Sequence, residues 1–280
     1  MKTLTSIIQA SELLDIIQHE KIILIDATNS PNAKENYKDK HLKGALFVDL
    51  NSQLAEIKSD FAMGGRHPLP SIQLFQKTLF DLGIQKNSHV VIYDNFNGAN
   101  AASRFWWMLK SIGHENVQVL NGGFQHAEKM GFPISNEIKN VDNKEPYPIE
   151  KWNFPLVEIN EVERATKDDN FLIIDVREKN RYDGKIEPID LKAGHIPNAI
   201  NVPFTTNLNS NGLFLSPNEL RMKYQEIFQD RKAENIIIHC GSGVTACHSL
   251  LAIASAGIDM PNLYVGSWSE WSRNEKEIIN

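Results

Sequence analysis

The sequence predicts an α/β protein built from two copies of one unit, each a parallel sheet with helices on both faces. Three observations lead there. The 280-residue chain is long for one hydrophobic core and comfortable for two domains. It also repeats itself. Leu24-Ile25-Asp26-Ala27-Thr28 matches Ile173-Ile174-Asp175-Val176-Arg177, and His41-Leu42-Lys43-Gly44-Ala45 matches His195-Ile196-Pro197-Asn198-Ala199, which sets Val48 opposite Val202. Val91-Ile92-Tyr93-Asp94 matches Ile237-Ile238-His239-Cys240, and the offset stays nearly constant throughout. Finally, short β-branched runs alternate with amphipathic stretches, the pattern of parallel strands joined by covering helices.

Taken in chain order, the first copy has strands at 24–28 and 91–94, then a helix that begins near Ala101 and ends in Gly113. A short strand follows at 117–120. Residues 136–155 are polar, carry Pro146, Pro148 and Pro155, and show no periodicity, so they read as a linker. The expected division is 1–137, a linker 138–155, and 156–280. In the second copy, 173–177 is a strand, and 219–229 is a helix with Leu220, Tyr224, Ile227 and Phe228 on one stripe. A strand runs into Cys240, a helix spans 246–256 up to Gly257, and a short strand occupies 262–265.

Hydrophobic residues at 41% and charged residues at 23% describe a soluble globular protein. A formal net charge of −6, without any Lys/Arg cluster, argues against nucleic acid as a partner. No stretch approaches the roughly 18 apolar residues of a membrane span. The start Met1-Lys2-Thr3-Leu4-Thr5-Ser6-Ile7-Ile8-Gln9 lacks the apolar core of a secretory signal. Cys240 and Cys247 share one strand–turn–helix and cannot form a disulfide framework, so a reducing compartment, the cytoplasm, is expected. No Cys/His cluster has metal-ligand spacing and no glycine pattern signals a nucleotide, so neither metal nor cofactor is expected.

Cys240 is the chemical centre of the sequence. It ends an apolar strand and opens Cys240-Gly241-Ser242-Gly243-Val244-Thr245 before a helix. Such a turn aims backbone N–H groups at one point, and the helix N-terminus adds partial positive charge. A thiol there is expected to ionise more readily than a free cysteine. The first copy has Asp94 at the matching place, and a carboxylate cannot replace a thiolate, so that copy is expected to be scaffold.

These residues carry a resemblance. Arg104-Phe105-Trp106-Trp107-Met108-Leu109, Asn121-Gly122-Gly123-Phe124, Gly194-His195-Ile196-Pro197 and Gly266-Ser267-Trp268-Ser269-Glu270-Trp271 are similar to tandem rhodanese-like domains. An inactive first domain and an active second one are the organisation of the thiosulfate and 3-mercaptopyruvate sulfurtransferases. The loop from Cys240 to Thr245 resembles the mercaptopyruvate subgroup, whereas thiosulfate enzymes carry basic residues directly after the cysteine. The resemblance implies that the Cys240 thiolate takes sulfur from 3-mercaptopyruvate, releases pyruvate and becomes a persulfide. A thiol acceptor such as thioredoxin or a small thiol, or cyanide, then removes the outer sulfur. Gly241, Gly243, Val244 and Thr245 would form the amide cradle, and the family suggests a monomer.

The family also uses a serine, histidine and aspartate near the leaving enolate. Ser242 and His67 match by motif, His67 within Gly64-Gly65-Arg66-His67 across the interdomain cleft, and Asp60 is the candidate aspartate. The non-catalytic alternatives are a capping serine, a loop histidine and a solvated aspartate. Arg181 matches an arginine that in relatives holds the donor carboxylate, a task for which a guanidinium fork is suited. Relatives place a second arginine where this chain has Ile189, which leaves Lys192 as the nearby cation. Arg177, two residues after Asp175, reads as an ion pair, and Trp268 and Trp271 as either cleft mouth or core. Three other functions stay in view. Thiosulfate:cyanide sulfurtransferase is one, and a non-catalytic persulfide carrier is another. Dual-specificity phosphatases share the fold but need an arginine where this chain has Ala246.

Overall fold

The computed structural model describes residues 4–141 and 145–280. Residues 1–3 of the chain start and 142–144 of the expected linker lie outside the described residues. The chain divides into two compact units, one from 1–55 and 70–153 and the other from 56–69 and 154–280.

The first unit contains strands β1 (Ile7–Ile8), β2 (Ile22–Asp26), β3 (His41–Leu42), β4 (Leu46–Phe47), β5 (His89–Tyr93), β6 (Val117–Leu120) and β7 (Ile134–Ser135). Its helices are α1 (Ala10–Ile16), α2 (Ala33–Asp39), α3 (Leu50–Gln53), α4 (Ile72–Asp81), α5 (Ala102–Ser111) and α6 (Gly123–Lys129). A parallel sheet runs in the order β1-β6-β5-β2-β4, and β3 pairs antiparallel with β7. The second unit contains β8 (Leu172–Asp175), β9 (Ala199–Asn201), β10 (Ile236–His239) and β11 (Asn262–Leu263). With them come α7 (Ile159–Ala165), α8 (Lys179–Tyr182), α9 (Pro217–Phe228), α10 (Ala246–Ser255) and α11 (Ser267–Trp271). Its sheet is parallel, in the order β11-β10-β8-β9.

Both sheets place an apolar strand in an inner position, and that strand delivers the loop of interest. All four residues of β10 are buried, as are 90–93 of β5, the sign of strands covered on both faces. The predicted stripe of α9 is in place, with Leu220, Tyr224 and Phe228 buried and Ile227 half-buried. Ser216 and Glu219 cap that helix reciprocally and Pro217 starts it, so its beginning is set locally. At the far ends of α5 and α10, Gly113 (φ +82°) and Gly257 (φ +70°) take the left-handed conformation that stops a helix.

The duplication extends to individual contacts. Tyr37 stacks on His41 with centroids 4.2 Å apart, and Tyr182 stacks on His195 at 3.9 Å. In each case the histidine Nδ1 meets the main-chain oxygen of that tyrosine, at 2.6 and 2.9 Å. Asp26 accepts the Thr28 N–H and Asp175 accepts the Arg177 N–H, both at 2.9 Å. In both copies the histidine and the aspartate thus bind main-chain atoms of their own unit.

Two features depart from a simple division along the chain. Segment 56–69 packs with the second unit although it lies in the first half of the sequence. Gly65 (φ +80°) makes that docking possible, because a Cβ there would collide with Gly266 O and Ser269 Oγ. Arg66 N–H donates to Ser269 Oγ (3.0 Å), and Gly64 N–H donates to the Glu270 carboxylate (2.7 Å). Part of the expected linker, meanwhile, belongs to the first unit. Trp152 packs on Phe75 and Trp107, and Tyr147 OH meets His114 Nδ1 at 3.0 Å. Aromatic side chains with apolar neighbours fold onto a core even where the surrounding composition is polar.

Candidate active site

Strand β10 ends at His239, and Cys240 follows as a residue only 3% exposed. Its N–H donates to Ser267 Oγ (3.2 Å) and its carbonyl accepts from Trp268 (3.0 Å). The Gly241 carbonyl accepts the Ser269 N–H at 2.8 Å, so the start of α11 pins the beginning of the loop. Gly243 has φ +71°, and a Cβ on it would strike the Val265 backbone. Val244 is buried and Thr245, half-buried, leads into α10. Among the described residues, the N–H groups of Gly241, Ser242, Val244 and Thr245 donate to no protein acceptor. Cys247 is buried in α10, and its thiol donates to the Gly243 carbonyl at 3.4 Å.

Ser242 Oγ and His67 Nδ1 lie 2.8 Å apart. The two residues are far apart in sequence yet belong to the same compact unit, because 56–69 is docked there. Asp60 takes no part in this pair. Its exposed carboxylate accepts the Ala62 N–H of its own turn at 2.9 Å.

Arginines surround the loop's first glycine. A Cβ on Gly241 would lie 3.0 Å from Arg66 Nη2 and 3.4 Å from Arg181 Nη1. Arg181 grips Glu187 through Nε (3.2 Å) and Nη2 (2.7 Å), and Arg66 grips Asp190 through Nε (2.9 Å) and Nη2 (3.3 Å). Arg181 and Arg273 also reach Asp190, each at 3.2 Å. Burial alone would raise the Glu187 carboxyl, but Arg181 and the Asp190 and Ile189 N–H groups outweigh it and hold it below its ordinary value. Arg177 forms the expected ion pair with Asp175 at 2.6 Å, both fully buried, and its guanidinium lies 4.6 Å from the Trp268 ring centre. Trp268 and Trp271 belong to the core.

A rhodanese-like domain family model matches residues 9–129 and again 158–274. The chain belongs to the rhodanese-like domain family. It is 36% identical over 241 residues to a "Probable 3-mercaptopyruvate sulfurtransferase" of Pseudomonas aeruginosa, covering 84% of this chain and 82% of that one. It is 37% identical over 250 residues to a thiosulfate sulfurtransferase of Rattus norvegicus, covering 86% and 80%. Among solved structures, SseA from Escherichia coli, a 3-mercaptopyruvate sulfotransferase, superposes with a TM-score of 0.77 at 30% identity, over 95% of this chain and 100% of that one.

In this rhodanese chain the second cation at the loop is supplied by a residue that sequence reasoning passed over. Lys192, expected to stand in where Ile189 replaces an arginine, is exposed, and so is Ile189. Arg66 lies against Gly241 instead. Its only signal in the sequence was adjacency to His67 within Gly64-Gly65-Arg66-His67. Asp190, whose side chain is fully buried, carried no signal, because an aspartate in a charged loop reads as solvated.

Proposed function

We propose that this rhodanese-like chain is a sulfurtransferase that moves sulfur from 3-mercaptopyruvate, through a Cys240 persulfide, to a thiol acceptor. The Cys240 thiolate attacks the donor sulfur, a bond forms between the two sulfurs, and the donor carbon–sulfur bond breaks. Its electron pair leaves on carbon as the pyruvate enolate, which a proton converts to pyruvate. Ser242 delivers that proton in this reading, supported by its 2.8 Å hydrogen bond to His67. The loop amides from Gly241 to Thr245 steady the sulfur anion before and after transfer, and Arg181 and Arg66 hold the donor carboxylate. Thioredoxin or a small thiol then attacks the outer sulfur and restores the thiol. The chain would work as a monomer in the cytoplasm.

The observation that carries this reading is the Ser242–His67 hydrogen bond of 2.8 Å in the unit that also holds Cys240. Thiosulfate:cyanide transfer is the second reading, favoured by the rat relative at 37% identity. Pyruvate release from 3-mercaptopyruvate, compared with sulfite release from thiosulfate, separates the two. A Cys240→Ser protein that still releases pyruvate would overturn both. A non-catalytic persulfide carrier would gain one sulfur atom in mass on donor treatment without turning over.

A further inference from the structure

Asp190 has a place that none of the chemistry above requires. Its side chain is fully buried, and three guanidinium groups converge on it. Two of these, Arg66 and Arg181, also lie against Gly241 in the cysteine loop. Each spends its Nε–Nη2 edge on a carboxylate, Arg66 on Asp190 and Arg181 on Glu187. Among the described residues, Nη1 of Arg66 and Nη1 of Arg181 donate to no protein acceptor, and Arg181 Nη1 stands 3.4 Å from the Cβ position of Gly241. Arg181 thus keeps one N–H donor group beside the loop, and Arg66 keeps one on a guanidinium whose Nη2 lies against it; both guanidiniums are already partly neutralised.

The charges of the connected network can be counted. Arg66, Arg177, Arg181 and Arg273 face Asp175, Glu187 and Asp190, which leaves one positive charge in excess. One excess charge complements a donor with a single carboxylate. With the Cys240 thiolate set aside, as in a Cys240→Ser protein, thiosulfate with its two negative charges would leave this network net negative. Because burial weakens screening, an imbalance of one unit charge at these distances alters binding on the order of tenfold.

The geometry points to Asp190 as a specificity-determining residue, whose carboxylate sets the charge of the donor site so that a monoanionic sulfur donor is bound in preference to a dianionic one. This inference deepens the proposed sulfurtransferase reading and rests on it.

The test measures donor binding without turnover, by calorimetry in the Cys240→Ser protein, as the ratio of the thiosulfate to the 3-mercaptopyruvate dissociation constant. Asp190→Asn keeps an acceptor oxygen but raises the excess to two charges. It is expected to shift the ratio towards thiosulfate by on the order of tenfold. Arg273→Gln, at the partly exposed edge of the network, lowers the excess to zero and is expected to shift the ratio in the opposite direction. A ratio left unchanged by Arg273→Gln, or moved the same way by both variants, overturns the inference. Should Asp190→Asn not fold, the direction seen with Arg273→Gln decides. Failure of the sulfurtransferase reading would show separately, as absent pyruvate and sulfite release from the unaltered Cys240 protein.

Discussion

The loops that follow β5 and β10 occupy the same place in two copies of one fold and treat their backbone amides differently. In the first unit Asp94 is fully buried and accepts four N–H groups: Phe96 (2.8 Å) and Gly98 (2.9 Å) on one oxygen, Asn100 and Ala102 (both 3.1 Å) on the other. Its carbonyl also accepts the Phe124 N–H at 2.9 Å, just as the Cys240 carbonyl accepts the Trp268 N–H at 3.0 Å. In the second unit the residue at that place is Cys240, and the amides of Gly241, Ser242, Val244 and Thr245 have no protein acceptor among the described residues. The difference teaches how one loop shape is used twice. The first unit fills its ring of amides with its own carboxylate. The second leaves its amides to the sulfur chemistry proposed here.

This contrast can be broken in several ways. Cys240→Ser should reduce pyruvate release at least ~10³-fold with unchanged circular dichroism, since the hydroxyl is a far poorer nucleophile at neutral pH. Asp94→Ala should do the converse. It strands four buried donors and should lower the stability of the first unit by roughly 3 kcal/mol or more in denaturant titration, with turnover per folded molecule retained. A Tm unchanged by Asp94→Ala would mean the amides are not held by that carboxylate. Burial holds the Asp94 carboxyl above its ordinary value, although the four amides work against that rise.

His67→Ala sharpens the comparison on the catalytic side, because among the described residues the loop after β5 is organised around the Asp94 carboxylate rather than around a histidine–serine pair. A fall in kcat of about 10²-fold is expected, with the unfolding midpoint little changed. Unaltered kcat would reduce His67 to a packing residue.

The smallest effect concerns pH. His114 follows Gly113 as Ile258 follows Gly257, and each N–H closes the end of its helix, on Leu109 O and Ile253 O. Burial lowers the His114 pKa to about 4. A histidine held below its unfolded value favours folding fully above about pH 6.5, and that contribution is lost as pH falls towards 4. Between pH 7.5 and pH 5 the loss should be roughly 2 kcal/mol. Urea titrations at the two pH values check it, and His114→Ile, which copies the second unit, should remove the step.

Much of the fold was legible because it is written locally. β-Branched runs, the Ser216–Glu219 cap and the glycines after α5 and α10 each act within a few residues. The repeat then made each copy a check on the other, since His41 and His195 fall at matching places in both. The arginine cluster could not be read this way. Arg66, Asp190 and Arg273 are distant in sequence, and each alone looks like a solvated surface charge.

The sequence by itself determined the duplicated α/β architecture, the cysteine proposed as nucleophile and the Asp94 that stands in its place in the first copy, since these depend on side-chain pattern and residue identity along short stretches. Only the tertiary structure decided that segment 56–69 joins the second unit, bringing His67 to Ser242 and Arg66 to Gly241. The physical reason is that this docking rests on close backbone approach at Gly65 and on hydrogen bonds to Ser269 and Glu270 some two hundred residues away. Contacts of that kind leave no periodicity in a chain.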